Sequence, residues 1–127
     1  MLVRRNVLLC LCLLLTACAA KSLQEIVIPF TGESVMEDIE GDPYRFFRYP
    51  SVEAAAKDVA RVSPDGQRIG GKRMRWAGPV HIYYLRKRIV VYVGSNPRTL
   101  AVIAQVFGPQ VAGDPVEKLP PSAQAPL

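Results

Sequence analysis

Between Pro79 and Gly94 the chain reads PVHIYYLRKRIVVYVG, two runs rich in β-branched and aromatic residues around Arg86-Lys87. No other segment restricts the fold as strongly. A two-residue turn at Arg86-Lys87 sets Tyr84 opposite Ile89, Ile82 opposite Val91 and Val80 opposite Val93. One face of that hairpin is then almost wholly aliphatic and has to be covered. Arg86-Lys87 matches poorly the left-handed conformation of a type I′ turn, which leaves a longer loop with a shifted register as the alternative.

Helical signals lie on both sides. YRFFRY (44–49) suits a strand, and Ser51 then caps a helix in which Val52, Ala55, Ala56, Val59 and Ala60 recur at helical spacing. Ser63-Pro64-Asp65-Gly66 ends it as a type I turn. QRIGGKRMRW (67–76) starts loosely at Gly70-Gly71 and tightens into a strand, with Met74 and Trp76 on one side and Arg73 and Arg75 on the other. Asn96 caps the second helix and Pro97 opens it. Leu100, Ile103, Ala104 and Phe107 form its stripe, Val102 and Val106 widen it, and Gly108-Pro109 stops it. The order β-α-(β)-β-β-α over residues 44–113 implies an α+β two-layer sandwich, an antiparallel sheet with both helices on one face.

The flanks differ in texture. Residues 31–43, TGESVMEDIEGDP, hold Glu33, Glu37, Asp38, Glu40 and Asp42 with no basic residue and read as a solvated acidic tether. They lack the ligand order of a calcium loop. LQEIVIPF (23–30) is apolar enough for a short strand or a patch docked on the domain, with Pro29 confining it to an edge or an end. Residues 114–127 are proline-rich and read as a disordered tail.

At the N-terminus, Arg4 and Arg5 precede an apolar run from Val7 to Leu15 that ends in the small residues Thr16, Ala17 and Cys18. Charge, apolar run and small-residue site are the parts of a signal peptide. The run is shorter than the ~20 apolar residues that span a bilayer. Leu15-Thr16-Ala17-Cys18 resembles the bacterial lipobox. The resemblance implies removal of residues 1–17 and a diacylglycerol on the Cys18 sulfur. An ordinary secretory signal with an incidental cysteine is the alternative. Cys10 and Cys12 each follow a leucine where a small residue is wanted. Lipidation of Cys18 leaves the mature chain with no free thiol, so disulfides and cysteine metal sites drop out. By the same resemblance Ala19, in place of Asp, sends the protein to the outer membrane of a cell that has one, and otherwise to the cell membrane. Either address is extracytoplasmic.

Loss of Arg4 and Arg5 lowers the net charge from +5 to +3. Export and this modest charge argue against nucleic acid as a partner. No cofactor motif is present. His81 is the only histidine, and no nucleophile or paired-acid motif accompanies it. With Val80, Ile82, Val91 and Val93 turned toward the helices, His81, Tyr83 and Tyr92 share the second face, to which Arg45 and Phe46 or Phe47 add. Such a face offers stacking surfaces to a sugar or peptide, unless LQEIVIPF or an oligomer partner covers it, the reading favoured here. The basic clusters Lys72-Arg73-Arg75 and Arg86-Lys87-Arg88 read as solvated surface. Their alternative partners are anionic headgroups and the acidic segment.

SPDG, WAGPVHIYY, IVVYVG and FGPQVAG are similar to segments of small uncharacterised bacterial lipoproteins, a likeness that carries no activity. FRYPSVEAAAKDVARV and VVYVGSNPRTLAVIAQVFG also resemble the strand, turn and helix rhythm of the sporulation-related repeat (SPOR) domain, which implies peptidoglycan binding. Its final strand and its characteristic first-strand glutamine and glycine are not evident. Three functions follow: a non-catalytic lipid-anchored envelope protein that binds a protein partner, a glycan or peptidoglycan binder using His81, Tyr83 and Tyr92, and a small hydrolase centred on His81. The first is favoured.

Overall fold

A computed structural model describes residues 26–116. The expected signal peptide, Cys18 and residues 117–127 of the expected tail lie outside the described residues. The elements are strands β1 (Glu33–Ile39) and β2 (Asp42–Arg48), helix α1 (Val52–Val59), strands β3 (Arg68–Ile69), β4 (Lys72–Arg73), β5 (Val80–Leu85) and β6 (Arg88–Val93), helix α2 (Pro97–Phe107) and strand β7 (Ala112–Gly113). The fold is α+β. Its main sheet is antiparallel in the order β1-β2-β6-β5-β7, and β3 and β4 form a separate two-stranded ribbon.

The hairpin keeps the expected register, Val80 against Val93, Ile82 against Val91 and Tyr84 against Ile89. Its turn is the short one. Arg86 takes the left-handed conformation itself, at φ 55°. Both helices begin where their caps stand: Ser51 Oγ accepts from the Ala54 amide at 3.1 Å, and Asn96 Oδ1 accepts from the Arg98 amide at 3.0 Å.

Three expectations are corrected. The acidic segment 31–43 is no tether: from Glu33 on it forms β1, the turn and the start of β2, the edge hairpin of the sheet. Glu40 and Gly41, at φ 52° and 84°, close β1 onto β2 as a two-residue turn of positive φ. Charges are tolerated there because an edge strand has one neighbour and faces water along its length. The helices do not share a face. Ala54, Ala55 and Val59 of α1 pack with Phe47, Val80, Ile82, Ile89 and Val91. Leu100, Ile103, Ala104 and Phe107 of α2 pack with Phe46, Tyr83, Val90 and Tyr92. Neighbouring residues along β2, β5 and β6 thus serve opposite cores, and the molecule has three layers, helix, sheet and helix. The first face cannot take both helices, since Ile26, Ile28, Phe30, Ile69, Met74 and Trp76 already share it with α1. Finally, residues 112–113 form β7, whose partner is β5.

Candidate functional site

His81, Tyr83 and Tyr92 come together, but not at the surface. They are 3%, 1% and 1% exposed, beneath α2 or the loop that follows it. The cover comes from α2 and the loop after it, while Ile26, Ile28 and Phe30 of LQEIVIPF pack on the opposite face. Tyr92 OH donates to Asp42 Oδ2 at 2.6 Å, the Thr99 hydroxyl donates to the same oxygen at 2.7 Å, and the Asn96 amide donates to Tyr92 OH at 3.3 Å. This cluster ties the start of α2 to the start of β2. Burial, reinforced by the Asp42 carboxylate, raises the Tyr92 phenol above its ordinary value. Burial pushes Tyr83 up to about 12. The imidazole of His81 lies 6.2 Å from the Tyr92 ring at 24°.

His81 Nδ1 lies 2.8 Å from Gln110 Oε1, while Gln110 Nε2 donates to the Asp114 carbonyl at 2.6 Å. The second bond fixes which end of the amide faces the ring, so Nδ1 carries the proton and donates. Asp114 Oδ2 accepts the Val80 amide at 2.9 Å. His81 therefore meets an amide oxygen where a general base would want an orienting carboxylate. Its bonds fasten β7 and the segment before it to β5.

The six cations of the basic clusters are exposed and divided between two sheets. Lys72 and Arg73 form β4, with Arg73 directly opposite Arg68, and Arg75 follows. Arg86 and Lys87 make the β5–β6 turn. Arg88 stands opposite Arg48, its guanidinium 5.4 Å above the Phe46 ring. Among the described residues the ion pairs are Arg48–Glu33, Arg61–Asp58 and Arg98–Glu40. The acidic hairpin thus meets Arg48 and Arg98, and none of the six.

Sequence reasoning missed a different constellation, the strap formed by residues 26–32. Asp58, 3% exposed on the inner side of α1, accepts from the Thr31 amide (2.6 Å), the Thr31 hydroxyl (2.9 Å), Tyr49 OH (2.8 Å) and Arg61 (3.0 Å). Burial alone would raise its pKa, but these four donors outweigh burial and hold the carboxyl below its ordinary value. Burial of the ring, reinforced by the Asp58 carboxylate, raises the Tyr49 phenol. Arg61 also donates to the Pro29 carbonyl at 3.0 Å and Arg45 to the Ile26 carbonyl at 2.7 Å. Phe30 meets Phe47 edge-on at 5.1 Å. The signal for this was one carboxylate on the apolar side of a helix, a position that demands donors.

Beside the strap an apolar cleft of about 220 Å³ opens between Ile26, Met36, Pro43, Arg45, Trp76 and Val93. The Trp76 indole is held by donation from Nε1 to the Gly66 carbonyl at 2.8 Å. A second cleft, about 300 Å³, lies over Tyr83, Leu100, Ala104 and Gln110. Among the described residues no group of three His, Cys, Asp or Glu side chains is placed to hold a metal ion, and no helix is long and apolar enough to cross a membrane. No known protein family, curated protein or solved structure matches the chain.

Proposed function

We propose that this chain is a lipid-anchored protein of a bacterial envelope. Acylated Cys18 holds it on the extracytoplasmic side of the outer or cell membrane, and the folded part works by binding a protein partner rather than by catalysis. The observation that carries the reading is Leu15-Thr16-Ala17-Cys18 at the end of a charged and then apolar leader. Its position relative to the fold supports it: Ile26, the first described residue, already packs against the core, eight residues beyond Cys18. Cleavage before Cys18 leaves every described residue in place. The bonding of His81 to Gln110 favours a structural role for the only histidine. Burial of Tyr83 and Tyr92 under α2 removes support from glycan binding through that face.

Two acyl chains bury enough methylenes, at ~0.8 kcal/mol each, to hold a small domain at a bilayer. Detergent phase partitioning of single variants expressed in bacteria tests the anchor. Wild type, Cys10→Ala and Cys12→Ala enter the detergent phase, and Cys18→Ala stays in the aqueous phase. Wild type in the aqueous phase would remove the proposal.

A further inference from the structure

We propose that the cleft beside the strap, with Val27 and Met36 next to it, rests on the lipid surface of the bilayer that holds the anchor. The inference depends on lipidation at Cys18. Seven residues lie between Cys18 and Ile26, and the chain from one to the other reaches at most about 28 Å when fully extended. A folded unit of this size is itself roughly 30 Å across, so Cys18 can lie no farther from Ile26 than the domain is wide, which keeps the strap near the membrane.

That face is built differently from the rest of the sheet edge. Val27 and Met36 are 72% and 56% exposed, among the most exposed large apolar side chains described. Val35 and Ile39 of β1 pack into the α2 core, so the strand's alternation sends Glu33 and Glu37 to the α2 side with them. Glu37 is held there by the Tyr44 hydroxyl at 2.6 Å. On the Met36 side β1 leaves only Ser34 and Asp38, and Asp38 accepts the Gly41 amide at the turn. Inside the cleft the charge is the Arg45 guanidinium, which donates to the Ile26 carbonyl and lies 3.4 Å from Met36 Sδ. Apolar side chains around a cation, with Glu33 and Glu37 on the opposite side and Asp38 engaged at the turn, suit acyl chains beneath phosphate headgroups.

Trp76 lines this cleft and is the only tryptophan, so its fluorescence reports the contact without labelling. Full-length lipidated protein is reconstituted into phosphatidylethanolamine–phosphatidylglycerol vesicles with brominated or unbrominated acyl chains. Bromine is expected to cut Trp76 emission roughly twofold, as for an indole at the interface. Val27→Glu and Met36→Glu, both at exposed positions, should restore emission while circular dichroism stays unchanged. Flotation of the vesicles and the mass of the N-terminal peptide read the anchor separately. Protein that floats with an acylated Cys18 yet emits equally in both vesicles overturns the proposal and leaves the anchor intact. Protein that does not float overturns both. In cells, a photoreactive residue substituted for Met36 that captures a polypeptide instead of phospholipid overturns it too.

Discussion

Asp58 joins three pieces of chain, the strap, the end of β2 and α1, through one carboxylate. Asp58→Asn keeps the shape and removes the charge, so the four donors lose their charge-assisted bonds. The expected cost is about 2 kcal/mol in urea denaturation at pH 7, discounted for the partly exposed Arg61. The depressed pKa sets the sign of the pH dependence. The contribution is fully present above the ordinary carboxylate value of about 4 and is lost as pH falls below it. Acid destabilisation should therefore be shallower in Asp58→Asn than in the wild type. Tyr83 works at the other end of the scale. Its phenol, raised to about 12, favours the fold fully below the ordinary value of about 10, and that contribution disappears as pH rises toward 12. Tyr83→Phe should flatten the alkaline limb with little change at pH 7, whereas Tyr83→Ala opens a cavity under α2 and costs about 3–5 kcal/mol. Urea midpoints across pH check all three. Of these residues the sequence revealed Tyr83 and Tyr92 as a pair on one face. It did not reveal their burial, because an alternating strand shows which side chains share a face and not what lies over it.

At the scale of elements, local signals served best where they were chemically strict. The Ser51 and Asn96 caps, the Gly108 stop and the β5–β6 register all stand where the pattern placed them. Ser51→Ala should cost about 1 kcal/mol, read as a shift in the urea midpoint. Two elements escaped notice for physical reasons. β1 is rich in Glu and Asp, residues with low strand propensity that an exposed edge nevertheless accepts, and its turn uses Glu40-Gly41, a weaker signal than Asn-Gly. β7 has two residues, too few for any period, and one is Gly113. There φ is 117°, and an added Cβ would lie 2.2 Å from the Val80 carbonyl oxygen. Gly113→Ala should detach β7 from β5 at a cost of roughly 2 kcal/mol, with amide exchange accelerating at Ile82 and Ala112 while the β2–β6 pairing stays protected.

Across the whole molecule, two helical stripes and a hairpin were legible, and their placement was not. A single aliphatic face suggested one layer of helices, yet Phe46, Tyr83, Val90 and Tyr92 form a second face apolar enough to recruit α2. With both faces of the sheet filled, the surfaces left for an outside partner are the clefts, the charged turns and the edge strand. The proposed orientation follows from the strap, because Ile26 packs on the core only a short reach along the chain from Cys18. The proposed location, the proposed membrane-facing cleft and the preference for binding over chemistry all depend on the state of that one sulfur. Mass spectrometry of the N-terminal peptide from protein extracted from membranes reads it directly. The account predicts a peptide beginning at Cys18 with a diacylglyceryl thioether. A peptide containing Met1, or an unmodified Cys18 thiol, would contradict it.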